Sequence, residues 1–131
     1  MARSLWGQGY HVVHPEFSTR GRPIEALVSQ TLPEAIAGCG ARWLHFVTHS
    51  SGGIIVRAYL AWAKPKNLSH VLMLGPPNKG SEVVDAMQGL AAFDWANGPA
   101  EWQLGTDSRS FPNRLPKANF SMGIIAGRVS F

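Results

Sequence analysis

Short apolar runs alternate along the chain with longer stretches in which apolar residues recur at helical spacing. Four runs rich in Val, Ile, Leu or Phe predict buried strands, at residues 10–13, 43–48, 70–74 and 122–126. Three stretches between them predict helices, at residues 24–37, 54–63 and 81–90. We expect Pro33 to kink or split the first helix and Pro65 to end the second. This alternation predicts an α/β fold, with a mostly parallel sheet flanked by helices on both faces.

The interval 91–120 breaks the alternation. Among its glycines, prolines and asparagines stand five aromatic residues, Phe93, Trp95, Trp102, Phe111 and Phe120. The interval is too long for an ordinary connection and too aromatic for a flexible linker. Two interpretations stay open: a cap or substrate-facing loop, or a loop folded onto the core.

Composition limits the classes of protein to be considered. The chain has 131 residues, of which 45% are hydrophobic and 15% charged, as expected for a single folded domain. Its net charge is +4, but the basic residues are scattered, which favours a solvated basic surface over a nucleic-acid partner. No run approaches the ~20 apolar residues of a membrane span, and the first residues lack the apolar core of a signal peptide. We therefore expect a cytoplasmic location and no transmembrane segment.

Metal and cofactor chemistry finds little support in the sequence. The single cysteine, Cys39, excludes an internal disulfide and a thiolate metal cluster. No carboxylate pair or His/Cys cluster indicates a metal site. The stretch 75–81, Gly-Pro-Pro-Asn-Lys-Gly-Ser, follows a predicted strand like a phosphate-binding loop, but Glu82 would repel phosphate and two prolines remove N–H donors. We expect no nucleotide, metal or other cofactor.

The stretch 47–53, Val-Thr-His-Ser-Ser-Gly-Gly, joins a predicted strand to a predicted helix. Ligands of parallel sheets bind at the carboxyl ends of the strands, where Ser50 would stand. A serine on a sharp strand-to-helix turn takes a strained backbone conformation and projects its hydroxyl outward as a nucleophile. The N–H of Ser51, at the start of the helix, could then stabilise an oxyanion.

The residues around Ser50 match the motif Gly-x-Ser-x-Gly in part. Gly52 provides the small residue two positions after the serine, whereas Thr48 replaces the first glycine and crowds the turn. The alternative is that Ser50 or Ser51 caps the helix.

A wider resemblance supports the nucleophile. Residues 47–60 resemble the nucleophile turn of α/β-hydrolases, in particular bacterial lipase- and esterase-like members, and residues 71–82 look like the next strand and loop. Residues 97–100, 103–107 and 123–127 also fit, so the resemblance covers nearly the whole chain in order. It implies a partial α/β-hydrolase fold and a serine hydrolase that cleaves carboxylic esters or lipids through an acyl-serine intermediate.

The same resemblance assigns roles to residues. Ser50 is the nucleophile, the N–H of Ser51 forms half of the oxyanion hole, and Thr48, His49 and Gly52 support the turn. In the family the acid and the histidine of the triad follow the serine, after the strand that here ends near residue 127. Both are expected beyond residue 131, and an earlier strand and histidine-glycine loop are expected before residue 1. We therefore interpret 1–131 as the middle of a single, truncated hydrolase domain.

Among the residues present, His14 is the candidate base, because it follows a predicted strand at the correct edge. In the family position its strand would lie two spacings away, ~10 Å, beyond the ~3 Å that proton transfer needs, and closer if the strands pair directly. His70 would start a strand at the wrong edge, and His11 and His45 would lie within strands. Three aspartates that could serve as the acid have ordinary solvated interpretations, Asp85, Asp94 and Asp107.

Two other functions stay open. A catalytically incomplete fragment or a binding module would keep the turn without the triad, and an acyltransferase would use the same serine but exclude water. The sequence leaves the oligomeric state undetermined.

Overall fold

A computed structural model describes residues 1–15, 22–82 and 103–127. Its helices are α1 (Ala2–Gly7), α2 (Ile24–Ala26), a π-helical turn (Leu27–Thr31), α3 (Leu32–Cys39), α4 (Ser51–Trp62) and α5 (Phe111–Arg114). Its strands are β1 (Leu44–His49), β2 (Leu68–Leu74) and β3 (Met122–Ile125). Beyond Glu82, the predicted helix 81–90 lies outside the described residues.

The three strands form one parallel sheet in the order β1-β2-β3. α4 carries the chain from the end of β1 back to the start of β2, which is the crossover that parallel pairing requires. Three of the four predicted strands are therefore confirmed, with small shifts of their ends, and so is the α/β class. The finer assignment to the α/β-hydrolase fold stays a prediction.

The core lies between α4, β2 and the helical stretch from α2 to α3. α4 contributes four of its buried apolar residues, Ile54, Ile55, Val56 and Leu60. Burying each such side chain contributes roughly 1.5–3 kcal/mol to folding. The nearly continuous apolar composition of α4 predicts this burial, although its last residue, Trp62, is 87% exposed. α4 thereby fixes the position of its own first residue, directly after Ser50.

The predicted helix 24–37 forms, but its winding changes in the middle. The N–H of Leu32 bonds to the carbonyl of Leu27, five positions back, as in a π-helix. Pro33 has no N–H to donate to the carbonyl of Ser29, and its ring crowds that carbonyl. The wider π-helical turn directly before Pro33 accommodates both effects. The proline therefore changes the local winding of the helix from α to π and does not split it.

The predicted strand at 10–13 is wrong. The N–H of Tyr10 bonds to the carbonyl of Leu5 (3.2 Å), and His11 Nε2 lies 3.2 Å from the carbonyl of Gly38. The segment also places Val13 against Gly38 and the ring of Tyr10 against that of His45. Its contacts thus go to α1, to the end of α3 and to a side chain of β1, and it forms no ladder with the backbone of β1.

One face of the sheet packs on the core through Val71 and Met73, which are almost fully buried. The other face carries His45, His49 and His70, all exposed, and Ile125, which is 61% exposed. The expectation of helices over both faces is not met within the described residues.

Residues 103–120 pack onto this frame. Leu104 joins the core, and its carbonyl accepts a hydrogen bond from the N–H of Ser81 (2.8 Å). Gly80 has φ +91°, and a Cβ there would collide with the carbonyl of Gly105, so both conformation and space require glycine. The part of the interval 91–120 before residue 103 lies outside the described residues, and the cap stays a prediction.

Candidate active site

Ser50 lies between β1 and α4 with φ +51° and ψ −130°. Among the described residues it is the one non-glycine residue with positive φ. Its N–H donates to the carbonyl of Leu74 (2.9 Å), and its own carbonyl accepts from the N–H of Gly53 (3.0 Å). These two bonds fix the turn to the carboxyl end of β2 and to the first turn of α4, and so hold a backbone conformation that costs an L-residue roughly 1–3 kcal/mol.

The side chain of Ser50 is exposed and is not used to cap the helix. Ser50 occupies the N-cap position of α4, yet no side-chain capping hydrogen bond forms there. Its hydroxyl has no hydrogen-bond partner among residues 1–15, 22–82 and 103–127. The capping alternative therefore has no support in the structure, and the hydroxyl is accessible to a ligand.

The N–H of Ser51 is the first of the unpaired N–H groups at the start of α4. It has no acceptor within the described part of the chain. The positive end of the helix dipole adds to the attraction of this donor for an anion. An exposed hydroxyl and a neighbouring N–H on consecutive residues could serve as an attacking group and as one of the donors that stabilise an oxyanion, and such a reaction would also need a general base.

The packing beneath the turn differs from the simple motif. A Cβ at Gly52 would lie 3.7 Å from Cβ of Thr48, an ordinary contact. A Cβ at Gly53 would lie only 3.0 Å from Cβ of Pro76 and 3.4 Å from Oγ1 of Thr48. Thr48 is buried and its hydroxyl lies 3.4 Å from the carbonyl of Leu72. The turn thus accommodates Thr48. A side chain would be crowded at Gly53 but not at Gly52.

No histidine forms a hydrogen bond with Ser50 within the described residues. His14 is exposed, without a described hydrogen bond, and the strand expected to place it does not form. His49, at the end of β1, is exposed. His70 stands four positions before the end of β2, roughly 13 Å from the edge at which Ser50 lies, which agrees with the expected wrong edge.

Asp107 is the one candidate acid of the three that falls within the described residues. It accepts hydrogen bonds from the N–H of Arg109 (2.7 Å) and from Nε of Arg109 (3.4 Å). The backbone bond, followed by the side-chain bond, lowers the pKa of Asp107, while both side chains stay largely in solvent. The solvated interpretation of Asp107 is confirmed.

Arg57 is a structural residue that sequence reasoning did not single out. Its Nη1 donates to Oδ1 of Asn78 (2.8 Å) and to the carbonyl of Asn78 (3.3 Å). Its Nη2 reaches the carbonyl of Pro116 at 3.5 Å. Partial burial lowers the pKa of Arg57. The signal in the sequence is an arginine inside an otherwise apolar helix.

A cavity of about 180 Å³ lies beside Arg57, between the second half of α4 and residues 116–120. Lys64 and Lys117 also line it, together with Leu60 and Phe120. Seven helical positions separate Arg57 from Ser50, roughly 10 Å along the axis, so the cavity is separate from the serine.

Comparison with known proteins points to lipases. The chain is 35% identical over 75 residues to a triacylglycerol lipase of Pseudarthrobacter phenanthrenivorans, a stretch that covers 57% of the chain and 22% of that lipase. It is also 35% identical over 75 residues to a triacylglycerol lipase of Burkholderia plantarii, covering 57% of the chain and 20% of the lipase. The aligned stretch is thus about a fifth of the length of these relatives. These matches suggest a lipase-like relationship.

No protein-family model matches the chain. No solved structure matches it either. Within the described residues, no helix has the length and apolar character needed to cross a membrane.

Proposed function

We propose that the protein is a serine hydrolase of the esterase or lipase type, with Ser50 as its nucleophile and a carboxylic ester or lipid as its substrate. The observation that carries the proposal is the backbone of Ser50, with φ +51° at a strand-to-helix junction, and a hydroxyl that has no hydrogen-bond partner within the described residues. A serine that only capped the helix would need neither feature. The similarity to two triacylglycerol lipases supports lipid esters as the substrate class.

In the proposed reaction, Oγ of Ser50 attacks the ester carbonyl carbon while a general base takes the hydroxyl proton. The carbonyl oxygen becomes an oxyanion, and the N–H of Ser51 donates to it. Collapse of this intermediate breaks the bond to the alcohol oxygen, which leaves with the proton, and an acyl-serine remains. Water then attacks the acyl carbon and releases the carboxylic acid and free Ser50.

His14 is the proposed base among the residues present, and Thr48, His49 and Gly52 are proposed to support the turn. His14 makes no hydrogen bond to Ser50 within the described residues, so it would have to come within hydrogen-bond distance to take the proton.

One observation favours the alternative of a catalytically incomplete fragment or binding module. The described residues contain no hydrogen-bonded pair of a histidine and a carboxylate beside Ser50. The experiment must therefore separate an activated serine from an inert one.

A fluorophosphonate probe tests this directly, because an activated serine displaces fluoride from its phosphorus atom. We expect the probe to label the purified chain and not the Ser50→Ala variant. Ser51→Ala is the matched control, since it removes a neighbouring hydroxyl but keeps the backbone N–H, and it should still be labelled. If His14 is the base, His14→Asn lowers the labelling rate by at least roughly 100-fold.

Circular dichroism on the same samples keeps the result interpretable. A folded chain that takes up no probe would overturn catalysis by this chain and favour the non-catalytic alternative. Equal labelling of wild type and Ser50→Ala would place the nucleophile elsewhere.

A further inference from the structure

Two histidines from neighbouring strands lie face to face on the exposed side of the sheet. His45 of β1 and His70 of β2 are direct partners in the parallel register. Their rings are stacked, with centroids 5.9 Å apart and planes within 3° of parallel. Both residues are exposed, so solvent and dissolved ions reach the pair.

The surroundings leave nitrogen atoms available for a ligand. Nδ1 of His70 lies 2.8 Å from the hydroxyl of Ser69, an interaction that can fix the tautomer and leave Nε2 free as a donor atom. The ring of Tyr10 stands edge-on to His45, with centroids 6.4 Å apart and planes at 75°. Neither nitrogen of His45 has a hydrogen-bond partner among the described residues.

Two imidazoles on adjacent strands suit a borderline divalent transition metal. Imidazole nitrogen binds Zn²⁺ at roughly 2.0–2.1 Å and also suits Cu²⁺ and Ni²⁺. A shared ion must lie in the plane of each ring, which parallel stacked rings do not allow, so both rings have to rotate out of the stack. Both residues are exposed, which leaves room for this rotation, although it breaks the edge-on contact of His45 with Tyr10.

We propose that His45 and His70 form a two-histidine surface site for Cu²⁺ or Zn²⁺, with water in the remaining positions. Divalent affinities of such ligands rank Cu²⁺ above Zn²⁺, and the site should follow that order. The described residues contain no group of three or more side chains that could hold a metal, so the proposed site is an open chelate and not a closed structural centre. The proposal departs from the sequence-based expectation of no metal site and is independent of the chemistry at Ser50.

Cu²⁺ titrations of the full chain at a pH of about 8, followed by electron paramagnetic resonance and by calorimetry, test the site. We expect hyperfine structure from two imidazole nitrogens in the wild type and from at most one in His45→Asn or His70→Asn. Each single variant should bind Cu²⁺ at least about tenfold more weakly, because the second ligand acts at high effective concentration. His14→Asn, which removes an exposed histidine outside the pair, should bind like the wild type.

The double variant His45→Asn/His70→Asn distinguishes a chelate from two separate histidines. In a chelate the second substitution adds much less than the first, so the effects are strongly non-additive. Additive losses, or an equal loss in His14→Asn, would overturn the proposal. All four variants change surface residues, and their circular dichroism should match the wild type.

Discussion

Ser50 keeps a left-handed backbone conformation although it carries a side chain. Steric contact of Cβ with the following carbonyl makes this region costly for L-residues, and glycine avoids the contact. The hydrogen bonds to Leu74 and Gly53 hold the turn against that cost. The sequence predicts the strain from the position of a serine between strand and helix. It does not predict that Gly53 would carry the tighter packing, since that depends on Pro76, from another loop.

The strain at Ser50 can be measured as stability. We expect Ser50→Gly to be more stable than Ser50→Ala by roughly 1 kcal/mol, after allowance for the greater freedom of glycine in the unfolded chain. Urea unfolding followed by circular dichroism gives the free energy of unfolding of each variant. Gly7 and its exposed surroundings serve for calibration, because Gly7→Ala meets no atom within 4 Å. Equal stability of the two Ser50 variants would mean that the turn stores no strain.

At the scale of elements, the apolar runs predicted β1, β2 and β3, although β3 is exposed along its whole length. The run at 10–13 has the same composition, yet its partners lie in α1 and α3, which local sequence does not reveal. The π-helical turn before Pro33 shows the same limit, since a proline predicts a disturbance but not its form. Arg57 links three elements, α4, the loop after β2 and the segment before β3.

Arg57→Ala should destabilise the chain by about 1–3 kcal/mol, because it removes charge-assisted hydrogen bonds to Asn78 and to the carbonyl of Pro116. Arg57→Lys should restore part of this, since a single ammonium lacks the forked guanidinium geometry. Arg3→Ala is the control with the same change of charge at an exposed position. Chemical denaturation provides the comparison, and equal loss for Arg57→Ala and Arg3→Ala would show that the link is unimportant.

At the scale of the whole molecule, the sheet face that stays uncovered within residues 1–15, 22–82 and 103–127 is the main departure from the sequence-based picture. The pattern of a doubly covered parallel sheet predicts buried strands, but β3 exposes Met122, Ile124 and Ile125. The register of the strands also brings together residues that are far apart in the sequence, such as His45 and His70. Sequence spacing alone does not predict such pairs. The candidate nucleophile could be predicted from one local stretch, whereas its base could not, because a base is defined by distance in the folded chain.

Among the described residues β3 is an edge strand, and an exposed apolar edge strand favours self-association, since its backbone groups can pair with another chain. We expect Ile125→Lys to reduce association of the chain at high concentration, as measured by sedimentation velocity. Ser108→Lys adds the same charge at an exposed position away from the sheet and should leave association unchanged. Loss of association in both variants would instead indicate that net charge controls it.

The close contact between Gly80 and Gly105 has a consequence for how this protein can vary. Together with the bond from Ser81 to Leu104, it clamps two distant points of the chain beside each other. Doubling the number of residues between two clamped points costs only about 0.6 kcal/mol in closure entropy. A change in the number of residues between Gly80 and Gly105 therefore costs little closure entropy, provided that both glycines are kept.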